Sequence, residues 1–240
     1  MSHHFDVIVI GTGSAGSTVA HTCKKAGMSV AIIDSRPFGG TCALRGCVPK
    51  KVYTAASEAV DWANRLNGKG VEKNNLRINW GDLQEFKRTF TEPFPENREQ
   101  GYIDAGIETF HGRAEFADDH TVRVDDTTLR GEHIVIATGA KPRPLGIPGE
   151  EHLTSSTEFL ELEELPKDIV FVGAGFISME FVHVAVRAGA NVRIIHRSDR
   201  PLKPFDPDLV DILVEASRNA GIEFSFNSKL TGIARKGDRF

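Results

Sequence analysis

The chain is 240 residues long, has a formal net charge of −4 and is 40% hydrophobic, which is enough for one large folded domain or two of ordinary size. Its charged residues are interspersed without a long run of one sign, which excludes nucleic acid as the main partner. No segment reaches the roughly 18 consecutive apolar residues of a membrane span. No secretion signal precedes the first apolar strand, so we expect a globular cytoplasmic protein.

A strand, a glycine turn and a helix open the chain. The apolar strand Phe5–Ile10 leads into Gly11-Thr-Gly13-Ser-Ala-Gly16, and an amphipathic helix follows to about Ala26. A second strand, Ser29–Ile33, is closed by Asp34, whose carboxylate suits ribose hydroxyls. This order predicts a dinucleotide site with a pyrophosphate at the helix N-terminus. The alternative is that the glycines only make a tight turn.

A cysteine pair lies just downstream, in the stretch from Gly39 to Lys51. Cys42 and Cys47 are five residues apart, which on a straight helix means a rise of roughly 7.5 Å and a rotation of about 140°. That separation is too large for a relaxed disulfide, so a bond between them needs a bent backbone, for which Gly46 offers conformational freedom. With no histidine or third cysteine nearby, the pair indicates redox chemistry rather than a zinc site.

The middle of the chain predicts two helices followed by a β-meander. The helices are Tyr53–Leu66 and Asp82–Thr91. The strands are Glu108–Phe116, Thr121–Val124 and Thr127–Arg130, with a further apolar strand at His133–Ala137. A proline-rich stretch from 142 to 149 then indicates a boundary between domains or a crossover connection.

The opening pattern repeats after this boundary. Strand Asp168–Val172, glycine turn Gly173-Ala-Gly175-Phe-Ile-Ser178, helix Met179–Ala188 and strand Asn191–Ile195 follow in order, and a helix at Asp208–Asn219 and a strand at Ile222–Asn227 come after them. We predict an α/β fold of two Rossmann-like dinucleotide-binding domains. Each is three-layered with a parallel sheet, the first containing the β-meander and the second incomplete at the C-terminus. The predicted boundaries are 1–148 and 149–240.

The two repeats differ in charge where the second strand ends. Asp34 stands there in the first repeat, whereas the second has His196-Arg197, with Arg200 and Lys203 following. Cations suit a 2′-phosphate that an acid would repel, so we predict NADP rather than NAD at the second site. The alternative is that these are ordinary solvated charges.

These motifs together resemble the front portion of the class I pyridine nucleotide-disulfide oxidoreductases, the flavoprotein family of glutathione reductase and dihydrolipoamide dehydrogenase. The most specific match is Gly39-Gly-Thr-Cys42 followed after four residues by Cys47-Val-Pro-Lys50. The two glycine turns support it, as do three short motifs: His111-Gly-Arg-Ala114, Ala137-Thr-Gly139 and Ile147-Pro-Gly149. The resemblance extends over all 240 residues.

The resemblance implies two bound cofactors. FAD would be bound by Gly11, Gly13, Ser14, Ala15, Gly16, Asp34, Ser35, Gly40, Thr41, Ala114, Thr138 and Gly139. NADP would be bound by Gly173, Gly175, Phe176, Ile177, Arg197 and Lys203. In the family, an aromatic residue at the position of Phe176 covers the flavin until the nicotinamide displaces it. Asp34 replaces the family's usual glutamate, a shorter acid at the ribose.

The resemblance also implies a mechanism. A hydride passes from the nicotinamide to the flavin, and the flavin reduces a Cys42–Cys47 disulfide. Cys47 then remains as a thiolate and Cys42 attacks a disulfide substrate. Lys50 would favour the thiolate and pair with Glu180, which we prefer to the alternative of a surface lysine and a solvated helix acid because both residues stand at motif positions.

The resemblance leaves the oxidising substrate and the final step open. The family continues into an interface domain that supplies a His-Glu pair across a homodimer, and no motif here matches that pair. His183 and His196 require a structure before either is proposed as a substitute. We expect a disulfide substrate and a homodimeric full-length form. The alternatives are a metal-ion or quinone reductase of the same family, or a catalytically silent nucleotide-binding fragment.

Overall fold

A computed structural model of the chain describes residues 2–237, which form two compact units. The first combines the chain up to Pro49 with Arg88–Lys141, and the second combines Lys50–Lys87 with the chain from Pro142 onward. The predicted α/β class with Rossmann-like units is confirmed. None of the helices described is long and apolar enough to cross a membrane.

A six-stranded sheet forms the centre of the first unit. Its strands are β1 Ser2–Ile10, β2 Val30–Asp34, β3 Glu108–His111, β4 Ala114–Asp118, β5 Thr121–Val124 and β6 Thr127–Ile136. Their order is β3-β2-β1-β6-β5-β4, with β3, β2, β1 and β6 parallel and β6, β5 and β4 antiparallel. The parallel part contains the predicted opening strand, glycine turn, helix and second strand, and the antiparallel part is the predicted β-meander.

Helices cover the parallel strands of the first unit. They are α1 Ser14–Lys25, α2 Gly40–Leu44 and α5 Phe94–Asp104. One core cluster joins Val7, Val9 and Ile32 of the sheet to Phe38 and Tyr102. The second cluster includes Phe5, Ile8, Ala31, Ile33 and Leu129. Strands β1 and β2 are therefore buried on both faces, as their continuous apolar runs predict.

The second unit is a smaller parallel sheet packed with helices. The strands β7 Asp168–Val172, β8 Asn191–Ile195 and β9 Ile222–Ser225 are parallel and lie in that order. The helices are α3 Cys47–Leu66, α4 Trp80–Thr91, α6 Ser156–Phe159, α7 Phe176–Arg187 and α8 Pro207–Asn219, and Glu150–His152 is a short 3₁₀ turn. Helix α3 begins in the first unit and continues into the second.

Helices α3 and α4 do not group with the domain in which the sequence boundary places them. Tyr53, Trp80 and Leu83 belong to the same apolar cluster as Phe159 and Val182 of the second unit. The Trp80 indole N–H also donates to the Leu162 carbonyl at 2.7 Å. These side chains are buried by residues about a hundred positions later, a contact that order along the chain does not reveal.

Two details of the predicted first unit are wrong. The single strand Glu108–Phe116 is two strands at opposite edges of the sheet, because the chain turns at Gly112, where φ is +141°. Strands predicted at Thr127–Arg130 and His133–Ala137 are one continuous strand, β6. Helix α5 was not predicted, because the Pro93 before it indicated an end rather than a start.

A hydrogen-bonded histidine packs inside the second unit and fixes helix α7. The Arg187 guanidinium donates to His183 Nδ1 at 2.8 Å, so the proton lies on Nε2, which is 3.0 Å from Ser217 Oγ of α8. Burial, and then the charge of Arg187, lower the pKa of His183 to about 4, outweighing the opposite effect of Asp61 on α3. His183 is thus a neutral structural group, which argues against a general acid–base role.

This burial predicts a pH-dependent stability. An unfolded histidine takes up a proton near pH 6.5, whereas folded His183 stays neutral down to about pH 4. The free energy of unfolding therefore falls as pH is lowered through that interval, by about 1 to 3 kcal/mol after allowance for partial exposure. Urea unfolding of the wild type and His183→Gln at several pH values measures it. Equal losses in both proteins would contradict the assignment.

Candidate functional site

The first glycine turn is tied to the acid that ends β2. Asp34 Oδ2 accepts hydrogen bonds from the Thr12 backbone N–H at 2.9 Å and from the Thr12 hydroxyl at 2.7 Å. That hydroxyl also accepts from the Gly39 N–H at 3.1 Å. Thr12 is 1% exposed, so the cluster is closed to water on its side. The carboxylate is consequently held in one orientation before any ligand binds.

The cysteine segment packs directly on the same turn. A Cβ on Gly40 would lie 2.4 Å from Gly13 Cα, and φ of Gly40 is +68°, so glycine is required there for two reasons. Gly13 is the N-cap of α1, and a Cβ on it would meet only Gly40 Cα, at 3.8 Å. The space in front of the α1 N-terminus is thus left open by the protein itself.

The backbone bends between the two cysteines, as their spacing predicts. Helix α2 carries Cys42 and ends at Leu44, and helix α3 starts at Cys47. The expected reason for Gly46 is wrong, because it has no left-handed φ. Glycine is needed there for space, since a Cβ would come within 2.9 Å of the Thr41 carbonyl oxygen.

Cys42 and Cys47 are both free thiols in this structure, and they interact. A hydrogen bond to the Cys47 side chain is the main cause of the raised pKa of the Cys42 thiol, and burial adds to it. The Ser14 hydroxyl, from the first turn of α1, opposes the shift slightly. The predicted flavin turn and the predicted redox pair are therefore in contact.

A cavity of about 390 Å³ adjoins Asp34. Its walls come from three places: the segment after β2, the start of α5 and the end of β3. The lining residues are Asp34, Ser35, Arg36, Pro37, Phe38, Pro95, Glu96, Glu99 and His111. Sequence reasoning missed the α5 wall, which carries no recognisable motif, and Thr12, which is a variable position of the first glycine turn.

The other predicted flavin residues lie at several places in the first unit. Ser14 and Ala15 are exposed on the first turn of α1, and Gly16 is buried there. Thr41 is exposed on α2, and Ala114 is half-buried at the start of β4. Thr138 and Gly139 are exposed beyond the end of β6.

The second glycine turn reproduces the hydrogen bonds of the first. The Gly11 N–H donates to Ile33 O at 2.7 Å, and the Gly173 N–H donates to Ile195 O at 2.8 Å. The next N–H of the second turn, from Ala174, donates to His196 Nδ1 at 3.2 Å, just as that of Thr12 donates to Asp34. His196 therefore occupies the position of the first unit's acid.

His196 is a neutral acceptor at that position. Burial is the largest cause lowering its pKa, and nearby Lys203 and Arg197 act in the same direction. Arg197 and Lys203 are exposed on the loop that follows, which is held by a bond from the Leu202 N–H to Ala174 O at 3.0 Å. The loop thus presents cations to solvent from a fixed position.

Apolar side chains beside this turn are exposed. Gly175 is the N-cap of α7, and Phe176 and Ile177 on its first turn are 61% and 42% exposed. An exposed aromatic ring at a helix N-terminus is available to contact a ligand. Gly173 and Gly175 have no neighbouring atom that a Cβ would meet, which leaves the turn open on its outer side.

Lys50 and Glu180 form an ion pair within the second unit. Lys50 Nζ lies 2.6 Å from Glu180 Oε1, and the side chains are 24% and 35% exposed. They line a groove of about 440 Å³ together with Phe176, Phe205 and Leu213. Lys50 is three residues after Cys47 on α3, so the cysteine and the lysine share a helix face. Lys50 and Glu180 are therefore more than isolated surface charges.

Comparison with known proteins supports one family. The pyridine nucleotide-disulphide oxidoreductase family model matches residues 5–240. The chain is 33% identical over 237 residues to a glutathione reductase of Nostoc sp., covering 97% of this chain and 51% of that protein. It is 31% identical over 232 residues to dihydrolipoyl dehydrogenase 2 of Haloarcula marismortui, covering 92% and 48%.

Solved structures agree with this match. The Cu(II) complex of the HOCl-induced flavoprotein disulfide reductase RclA from Escherichia coli superimposes with a TM-score of 0.86 at 26% identity, covering 98% of this chain and 52% of that one. The RclA structure described without copper gives a TM-score of 0.80 at 28% identity, covering 95% and 50%. The chain spans about half the length of the relatives it matches. It belongs to the pyridine nucleotide-disulphide oxidoreductase family.

Proposed function

We propose that the whole protein is an FAD-dependent NAD(P)H:disulfide oxidoreductase in which Cys42 and Cys47 carry the electrons. The observation that carries this proposal is the packing of the cysteine segment on the first glycine turn, through Gly39, Gly40 and Ser14. A redox pair built onto a nucleotide-binding turn is suited to exchange electrons with a cofactor held there.

Two features of the first unit, the N-terminus of α1 and the Asp34 carboxylate, suit FAD. The open N-terminus of α1 has no acid in its first turn, which suits a pyrophosphate. The Asp34 carboxylate, already oriented by Thr12, faces the adjoining cavity and suits ribose hydroxyls. When bound, FAD would supply two-electron transfer between a reduced nicotinamide and the cysteine pair.

We propose that the second unit binds NADPH. Its glycine turn repeats the geometry of the first, and His196 replaces the acid that would repel a 2′-phosphate. Arg197 and Lys203 would neutralise that phosphate, and Phe176 would contact the nicotinamide end.

The proposed transfer of electrons to the cysteine pair gives Cys42, Cys47 and Lys50 separate roles. Reduction of a Cys42–Cys47 disulfide by one hydride equivalent breaks the S–S bond and leaves one thiol, at Cys42, and one thiolate, at Cys47. Cys42, whose pKa is raised, keeps its proton while the Cys47 sulfur accepts its hydrogen bond. Lys50, held by Glu180, would place a positive charge near Cys47 on the same helix. Cys42 would then attack a disulfide substrate, its proton passing to the departing substrate thiolate, and the Cys47 thiolate would displace the second substrate thiolate and restore the Cys42–Cys47 bond, in a homodimer of the full protein.

A second oxidant has one observation in its favour. A matching solved structure is the copper(II) complex of RclA, and two thiols are ligands that suit copper. Within residues 2–237, no cluster of three or more cysteine, histidine or acidic side chains could hold a metal ion. Copper(II) is therefore a candidate electron acceptor at the cysteine pair.

The reductive half of the reaction can be tested on this chain. When NADPH is added without oxygen to oxidised protein loaded with FAD, we expect each chain to gain two thiols. The thiols are counted with a thiol-reactive dye under denaturing conditions. Cys23→Ser should keep this gain, since Cys23 lies in α1 outside the pair. Cys47→Ser should abolish it. No gain in FAD-loaded wild type would favour the silent nucleotide-binding alternative.

The coenzyme preference has a single-residue test. His196→Asp keeps an acceptor for the Ala174 N–H but adds a negative charge where the 2′-phosphate would lie. We expect the rate ratio of thiol release with NADPH over NADH to fall about tenfold, or roughly 1.4 kcal/mol. His196→Asn keeps an uncharged acceptor and should preserve the ratio. An unchanged ratio in His196→Asp would contradict the proposed NADP preference.

A further inference from the structure

Helices α3 and α7 are joined by three layers of polar contacts. In the first layer, Lys50 Nζ bonds to Glu180 Oε1 at 2.6 Å. In the second, Ser57 Oγ donates to the His183 carbonyl at 3.1 Å. In the third, the Arg187 guanidinium donates to Asp61 Oδ1 at 2.7 Å. The layers follow both helices in the same direction.

The spacing places each set of residues on one face of its helix. The α3 residues are seven and four positions apart, and the α7 residues three and four, which are the intervals of a single helix face. The charges run in opposite senses, with the cation of the first layer on α3 and that of the third on α7. A slip of one helical turn would break both ion pairs together.

Of the two ion pairs, the one in the third layer, between Asp61 and Arg187, is the more rigid. Arg187 is 16% exposed and its guanidinium donates to three acceptors: Asp61 Oδ1, His183 Nδ1 and the His183 carbonyl. Because His183 is itself bonded to buried Ser217 of α8, Arg187 has little freedom to turn. Arg187 is also the main cause of the lowered pKa of Asp61.

The ion pair of the first layer depends on the register of α3 against α7. Glu180 Oε2 is buried and has no hydrogen-bond partner among the described residues. The negative charge of this carboxylate is therefore compensated mainly through the bond of Oε1 to Lys50. Separating Lys50 from Glu180 would leave a largely uncompensated charge in a half-buried site. The register of the two helices therefore has a strong effect on the position of the Lys50 charge, three residues from Cys47 on the same helix.

We propose that Asp61 and Arg187 are positioning residues that set the register of α3 against α7 and so hold Lys50 on Glu180. They act through Lys50 and touch neither cysteine. The inference rests on the proposed function, in which Lys50 supports the Cys47 thiolate. The charge on the helix that carries Cys47 is thus set by an ion pair three turns further along it.

Lysine reactivity tests this directly, without FAD or NADPH. Each lysine of the folded chain is acylated with limiting acetic anhydride, and its rate is read from peptide masses. We expect Arg187→Met to raise the rate at Lys50 about threefold to fivefold, as loss of a partly exposed ion pair would. Glu180→Gln sets the scale for complete loss of the pair, and Asp61→Asn should act in the same direction as Arg187→Met.

Three internal controls separate register from general loosening. Arg65 also contacts Asp61, at 2.7 Å, but lies on α3 itself and bridges nothing, so Arg65→Met should leave Lys50 unchanged. Lys51 is exposed and normalises the reagent. Lys87 is 0% exposed in the same unit and reports its opening.

Two results would overturn the proposal. One is a wild-type Lys50 rate in Arg187→Met and Asp61→Asn. The other is a parallel rise at Lys50 and Lys87, which would mean that the pair only stabilises the unit. Because the assay needs no cofactor, failure of the proposed flavin chemistry would appear separately, as absent thiol release in the wild type.

Discussion

The hydroxyl of Thr12 is the interaction on which the candidate flavin site depends. It donates to Asp34 and accepts from the Gly39 N–H, so one buried oxygen joins the first glycine turn, the acid at the end of β2 and the start of the cysteine segment. The backbone contact of Gly40 with Gly13 follows from this junction. One residue of the first glycine turn thereby orients both Asp34 and the segment that leads into the helix carrying Cys42.

The second unit uses the same backbone geometry for a different charge. Ala174 has no hydroxyl, and its N–H bonds to the neutral imidazole of His196, so the turn is kept while the acid is lost. The loop that follows carries the exposed cations Arg197 and Lys203, the second of which lies 3.7 Å from Asp199. Duplicated turns that differ in charge, one ending in an acid and the other in a neutral imidazole, are consistent with two nucleotides of different phosphate content, one on each unit.

The sequence predicted the features that are local and periodic. Both glycine turns, the strands beside them and the bend between Cys42 and Cys47 follow from spacings of a few residues. Helix α5 escaped prediction because its apolar residues do not recur on one face and Pro93 indicated a stop. The pairing of Asp61 with Arg187 spans 126 residues and no sequence motif marks it. The hydrogen bonds of Thr12 likewise join positions that only the sheet brings together.

The dissociation constant of FAD tests the central claim most directly. Fluorescence quenching of added FAD should report binding by the wild type, binding weakened about tenfold or more by Thr12→Val, and near-normal binding by Thr12→Ser. The size of the effect follows from losing a hydrogen bond to a carboxylate, about 1.5 to 3 kcal/mol. Valine keeps the shape of threonine and replaces the hydroxyl with a methyl group, which can neither donate nor accept a hydrogen bond. Equal affinity for FAD in Thr12→Val and the wild type would contradict the account.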